Sequence, residues 1–166
     1  MRTILSWGVL VAMVIALVVA ARYGSRIRRW ATGAPDADDL LLEAAWHGDA
    51  KSFEQAVAVG ASAQCTDRFG NTPLIAAALR GDTDMADRLL AMGADVNAQG
   101  AHGYTPLMWA VTTDRAATVA LLIRRGADPR LRSHSGQSAA DIAKSMDPPD
   151  AKAILAELDD DHRRCD

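Results

Sequence analysis

The sequence predicts an all-α chain: a helical solenoid of about four stacked units behind a single N-terminal transmembrane helix. Three observations carry this. First, landmarks return after 33 residues: Gly70, Thr72, Pro73, Leu74, Ala77, Gly93, Ala94 and Asp95 recur as Gly103, Thr105, Pro106, Leu107, Ala110, Gly126, Ala127 and Asp128. A fixed period of this length marks supersecondary units that bury their apolar faces against one another rather than around one core. Second, each period carries the punctuation of two helices, a Thr-Pro start and glycine stops. Third, the run that opens at Ile4 and closes at Ala21 has no charge over eighteen residues; as a helix it is about 27 Å long, close to the thickness of a hydrocarbon core.

Arg2 precedes this apolar run, and Arg22, Arg26, Arg28 and Arg29 follow it. Basic residues near a span tend to stay on the cytoplasmic side, so the asymmetry predicts a short translocated N-terminus and a repeat domain in the cytoplasm. A cleaved signal peptide is the rival reading, because Val19-x-Ala21 resembles a cleavage site; cleavage would make the domain periplasmic or secreted. The run is longer than a usual signal core and arginines follow at once, which favours a retained anchor at residues 1–21. Residues 22–36 are then a basic juxtamembrane segment and linker. Tyr23 and Trp30 suit the membrane interface, and the stretch TGAPDAD from residue 32 is a polar hinge.

The repeats divide at about 37–66, 67–99, 100–132 and 133–158, with a charged tail at 159–166. In the first unit Asp39 stands where later units have Thr and is expected to cap the helix, with Leu41, Ala44 and Ala45 facing the stack. Gly48 ends that helix, and a second is expected over 52–59. In the second unit Thr72 caps, Pro73 takes the first helical position, and Leu74, Ala76 and Ala77 pack inward. Gly81 supplies a left-handed stop, and a helix near 84–92 presents Met85, Leu89 and Leu90. The third unit repeats this with Thr105, Pro106, Leu107, Ala110, Val119, Leu122 and Ile123. Asp114 stands at the position of Gly81, since Asp enters the left-handed region more readily than most residues. Trp109 replaces Ala76, so a bulky ring must fill a gap or reach the surface, and Gly100 replaces Asp67. Ser138 and Asp141 form a capping-box pattern. Pro148 and Pro149 then break the chain before a short final helix at 150–158.

The pattern Gly-x-Thr-Pro-Leu, then Ala, a Leu-Leu or Leu-Ile pair and Gly-Ala-Asp, twice in register, resembles the ankyrin repeat family over residues 37–158, in the form of a small membrane-anchored protein of bacterial type. The resemblance implies helix-turn-helix units joined by projecting loops, whose usual occupation is binding other proteins through a concave face. Where the family has His after Thr-Pro-Leu, this chain has Ile75 and Met108, exchanging an inter-repeat hydrogen bond for apolar contact.

Charge and motifs narrow the function. Five of the 18 Lys and Arg precede residue 35, leaving 13 against 21 Asp and Glu, a formal −8. An acidic domain speaks against nucleic acid as a partner. His47, His102, His134 and His162 lack metal-ligand spacing, although His102 and His134 fall in adjacent loops and could approach each other. Gly100-x-x-Gly103 follows no buried strand and is no dinucleotide fingerprint, and no nucleophile elbow or P-loop is present. The sequence therefore predicts no enzyme, no metal, no cofactor and no small-molecule substrate. Cys65 and Cys165 have no metal spacing and are read as thiols, although one long-range disulfide is compatible with the sequence.

What remains is a partner protein, with the membrane engaged through Ile4 to Ala21. On the face that the resemblance implies, the candidate contacts are Arg68, Phe69, His102, Tyr104, Arg132 and His134 on the loops. On the first helices they are Trp46, Leu79, Arg80, Thr112 and Thr113. Arg68, Phe69 and Tyr104 are the preferred anchors, because aromatic residues and Arg are enriched at interfaces. Two functions stay open: a membrane-tethered module that binds a soluble protein, and an accessory or assembly subunit of a membrane complex. The second draws on Gly8, Ala12 and Ala16, a row of small residues at helical spacing within the span.

Overall fold

The computed structural model describes residues 36–145. The chain divides into two units, residues 1–37 and 38–166. The expected anchor, the final helix at 150–158, the tail, His162 and Cys165 lie outside the described residues. Among the described residues no helix is long and apolar enough to cross a membrane.

The elements are α1 (Ala37–His47), α2 (Ala50–Ala58), α3 (Pro73–Arg80), α4 (Thr83–Ala91), a 3-10 turn at Ala101–Gly103, α5 (Pro106–Thr112), α6 (Ala116–Arg124) and α7 (Ala139–Lys144), with no strand among the described residues. Five of the helices, α2, α3, α4, α5 and α7, start where a side chain takes up an orphan backbone donor. Thr72 accepts from the Ile75 N–H at 3.3 Å and Thr105 from the Met108 N–H at 3.2 Å, each with proline at the first helical position. Ser138 and Asp141 form the reciprocal capping box expected of them. Asp49 and Asp82 cap α2 and α4, so these helices begin at Ala50 and Thr83, slightly earlier than the sequence suggests. Asp39 is a correction: α1 opens at Ala37, which puts Asp39 inside the first turn. There its carboxylate still favours the positive end of the helix dipole. Asp38 instead ties the unit together, accepting from the Ser62 N–H at 2.7 Å.

The helix ends repeat with the same period. Gly48, Gly81 and Asp114 all have positive φ, 71°, 78° and 54°. The N–H of the following residue reaches back five positions: Asp49 to Ala44 O (3.0 Å), Asp82 to Ala77 O (3.0 Å) and Arg115 to Ala110 O (2.8 Å). The second helices close in the same way, from Ala61 to Ala56, Ala94 to Leu89 and Ala127 to Leu122. These are the closures of a left-handed C-terminal stop, and Asp114 adopts one without glycine.

The core runs from unit to unit. α3 packs against α5 and α5 against α7, while α4 packs against α6. Leu41, Ala44, Ala45, Leu74, Ile75, Ala76, Ala77, Leu107, Met108, Ala110, Met85, Leu89, Val119 and Leu122 are all buried. Leu90 and Ile123, expected to face inward, are only half-buried. Both follow a fully buried leucine and turn toward the edge of the apolar stripe. On the outer helices Arg88 pairs with Glu54 and Arg125 with Asp87, exposed bridges between units that water and salt screen. Cys65 directs its thiol at Asp38 O, 3.7 Å away.

Leu74 and Leu107 are 0% and 1% exposed. Leu74→Ala or Leu107→Ala is expected to cost roughly 2–5 kcal/mol each, read from urea unfolding midpoints at unchanged slope. Acid should also loosen the stack. Hydrogen bonds from Ser52 hold the Asp49 carboxyl below its ordinary 3.8, and the Ser138 backbone and hydroxyl do the same for Asp141. A depressed carboxylate stabilises the fold fully above the unfolded value and loses that contribution as pH falls below it. The melting temperature should therefore hold steady at neutral pH and fall below pH 3.8. In Asp141→Asn the acid-side slope should be shallower.

Candidate interaction surface

The loops between units are built to one plan. The N–H groups of Asp67, Gly100 and Ser133 donate to the carbonyls of Asn71, Tyr104 and Gln137 at 3.0, 3.0 and 2.9 Å, one closure per repeat. Gly70, Gly103 and Gly136 take positive φ at each tip. In the first of these loops the Asp67 carboxylate accepts from the Phe69 N–H (2.8 Å), the Asn71 N–H (2.9 Å) and the Asn71 side-chain amide (3.0 Å). In the third, the Ser133 hydroxyl accepts from the Gln137 N–H at 3.3 Å.

Successive loops are also fastened to each other. Asn71 Oδ1 accepts from the Ala101 N–H at 2.9 Å, and one repeat later His102 O accepts from the His134 N–H at 2.9 Å. This explains Gly100. Its φ of −100° suits any residue, but a Cβ there would lie 2.5 Å from Asn71 Oδ1 and 2.6 Å from Ile75 Cδ1. No side chain fits between the two loops. A second ladder runs lower down: Gln64 donates to Gly93 O (3.1 Å), and one period on Asn97 donates to Gly126 O (3.5 Å) while accepting from the Asp128 N–H (2.8 Å).

On this frame the first projecting loop and α1 enclose an open cleft of about 720 Å³, with Trp46, Arg68 and Phe69 among its walls. Phe69 is 60% exposed, and the Arg68 guanidinium lies 4.7 Å from its ring centre. The remaining walls are Asp39, Leu42 and Glu43 from α1, with Asp67 and Asn71 from the loop.

A model of ankyrin repeats (3 copies) matches residues 41–133, more than half of the chain. The chain belongs to the ankyrin repeat family. Ankyrin repeats generally mediate protein–protein interaction. No curated protein is detectably similar to the chain. The match spans three repeats, from α1 through the loop at Ser133; α7, with its capping box, follows it.

The ankyrin frame sorts the expected contact residues. It brings Trp46, Arg68 and Phe69 to one cleft and leaves the others elsewhere. Tyr104 is half-buried and stacks on Trp109, ring centres 5.1 Å apart at 46°. Trp109 thus leaves the alanine column and fills the gap beside the loop. His102 is exposed at φ 60° and meets His134 through the backbone bond between their loops. Arg132 donates to Gly136 O at 2.6 Å and reaches Asp141 at 3.5 Å, so it braces the last loop. Arg80 lies across Gly48 and donates to Trp46 O at 3.3 Å, an inter-repeat tie. Leu79 is half-buried at the end of α3. The Thr112 and Thr113 hydroxyls donate to Met108 O and Trp109 O within their own helix. Among the described residues no three His, Cys, Asp or Glu side chains gather as a metal site would need.

Sequence reasoning missed Asp39, Leu42, Glu43, Asp67 and Asn71 as cleft walls. The signal was there in part, since residues 39, 42, 43 and 46 have the spacing of one helix face.

Residues that hold the loop and residues that it presents should separate on mutation. Asn71→Ala is expected to cost about 1–3 kcal/mol, because the half-buried Ala101 N–H loses its acceptor. Phe69→Ala should stay within roughly 0.5 kcal/mol of the parent. Thermal and urea unfolding of the two variants measure both.

Proposed function

We propose that this ankyrin protein is a membrane-tethered interaction module, holding a partner protein at the face that carries Phe69, Arg68 and Trp46. The observation that supports it most is Phe69: a large apolar ring, mostly exposed, on a loop held in shape by hydrogen bonds from the Phe69 and Asn71 N–H groups to the Asp67 carboxylate. Exposed aromatic rings beside arginine are the usual anchors of protein interfaces, and a preorganised loop loses little entropy when it docks. The tether is the uncharged run from Ile4 to Ala21, and the arginines behind it favour repeats on the cytoplasmic side.

The second reading is an accessory subunit of a membrane complex, favoured by the small-residue row Gly8, Ala12 and Ala16. If the N-terminal segment were cleaved, the same module would act outside the membrane.

Under the proposal, changing Phe69 and Arg68 to alanine should release a cross-linkable partner while the melting temperature stays put. Retention of the partner after those changes, with loss when residues 4–21 are replaced by an unrelated apolar helix, selects the accessory subunit. C-terminal reporter fusions decide the side: activity of a reporter that works only outside the cytoplasm, or a mature N-terminus at Arg22, overturns the cytoplasmic placement.

A further inference from the structure

Charge is graded along the repeats. Residues 38–66 hold Asp38, Asp39, Glu43, Asp49 and Glu54 against Lys51 alone. Residues 100–132 hold five arginines, at 115, 124, 125, 130 and 132, against Asp114 and Asp128. The cleft sits at the acidic end of this gradient.

Its walls are of two kinds. Leu42, Trp46 and the Phe69 ring supply apolar surface, while Asp39 and Glu43 stand one helical turn apart on α1, both exposed, with Asp67 across from them. The Asp67 carboxylate already accepts three hydrogen bonds, so it contributes field rather than a vacant acceptor. Among the described residues of the walls Arg68 is the one cation, and its guanidinium is stacked on Phe69. Among the described walls the carboxylates of Asp39, Glu43 and Asp67 outnumber the guanidinium of Arg68.

An acidic occupant would meet like charge there, and a purely polar one would leave the rings unfilled. Arginine and lysine suit both kinds of wall, because their aliphatic stems lie along apolar surface while the heads stay near carboxylates. Neighbouring leucines or aromatics would fill the remainder. We propose that the cleft takes a cationic, apolar segment of another protein, with arginine or lysine next to large apolar side chains. This rests on the interaction face assigned above and names the chemistry of its partner. A second copy of this chain is the poorer occupant. Its basic repeat lacks an anchor, since the exposed large apolar side chains among the described residues are Val59, Phe69 and Met92.

The test uses the full-length chain and three fluorescent peptides of about a dozen residues, alternating leucine with arginine, glutamine or glutamate, read by anisotropy. The arginine peptide should bind best, the glutamine peptide roughly tenfold more weakly, and the glutamate peptide not measurably. Binding of the arginine peptide should weaken about tenfold in Phe69→Ala and in the double change Asp39→Asn with Glu43→Gln, and again between about 0.05 and 0.5 M salt. Arg124→Gln, at the other end of the gradient, should leave it unchanged. Equal binding of all three peptides, still lost in Phe69→Ala, overturns the cationic partner but keeps the interaction face. Binding that ignores both Phe69→Ala and the carboxylate changes, or no binding at all, overturns the proposal; indifference to Phe69 also counts against the face itself. A dimer in sedimentation that dissociates on Phe69→Ala would make the occupant a second copy.

Discussion

Everything in this structure depends on the alanine faces of the first helices. Ala44, Ala45, Ala76, Ala77, Ala110 and Ala143 are buried at or near completeness, and most recur one period apart. Side chains this small let successive helices approach until the longer residues of the second helices, Met85, Leu89, Val119 and Leu122, close the remaining space. No unit could bury its apolar face alone, which is why one spacing governs caps, stops and core together. Where the rule is broken, Trp109 stands in the place of Ala76, and its ring is half-buried and tilted against that of Tyr104.

Close approach of the helices brings the loops together in turn, and this makes the face rigid. Asn71 occupies the space that a side chain at 100 would need, and the next pair of loops joins by a backbone bond from His134 to His102. The polar groups at the base of each loop are consumed by the stack. The tips, Arg68 and Phe69 above all, are left to solvent. Stability is thereby carried by other residues of the same short segment, so the tip can vary without loosening the frame.

Much of the frame was legible in the sequence, because periodicity reports the steric demands that repeat. Thr72, Pro73, Gly81 and the Ser138–Asp141 box name their own roles, and even Asp114 betrays a left-handed position by occupying the place of a glycine. Legibility fails where the demand is not periodic. Asp39 reads as a cap by register, yet the helix begins three residues earlier than such a cap would place it, because the first unit has no Thr-Pro to fix its start. The site was legible only in part. Phe69 and Arg68 follow from their place at a loop tip, whereas the engagement of Arg80 over Gly48 depends on a neighbour a repeat away, and those of Arg132 with Gly136 and of Tyr104 with Trp109 depend on how each loop folds beside its helix. No local spacing carries that information.

The projecting loops belong to the stack and should share its stability. Native-state hydrogen exchange of the Asp67, Gly100, Ala101, Ser133 and His134 amides tests it most directly, since each donates to a loop carbonyl or to Asn71. The account predicts that these amides open with the same free energy as buried helical amides such as those of Ala77 and Ala110, and that all respond together to denaturant. Exchange of the loop amides at the rate of an open, unstructured segment, while the helices stay protected, would contradict it.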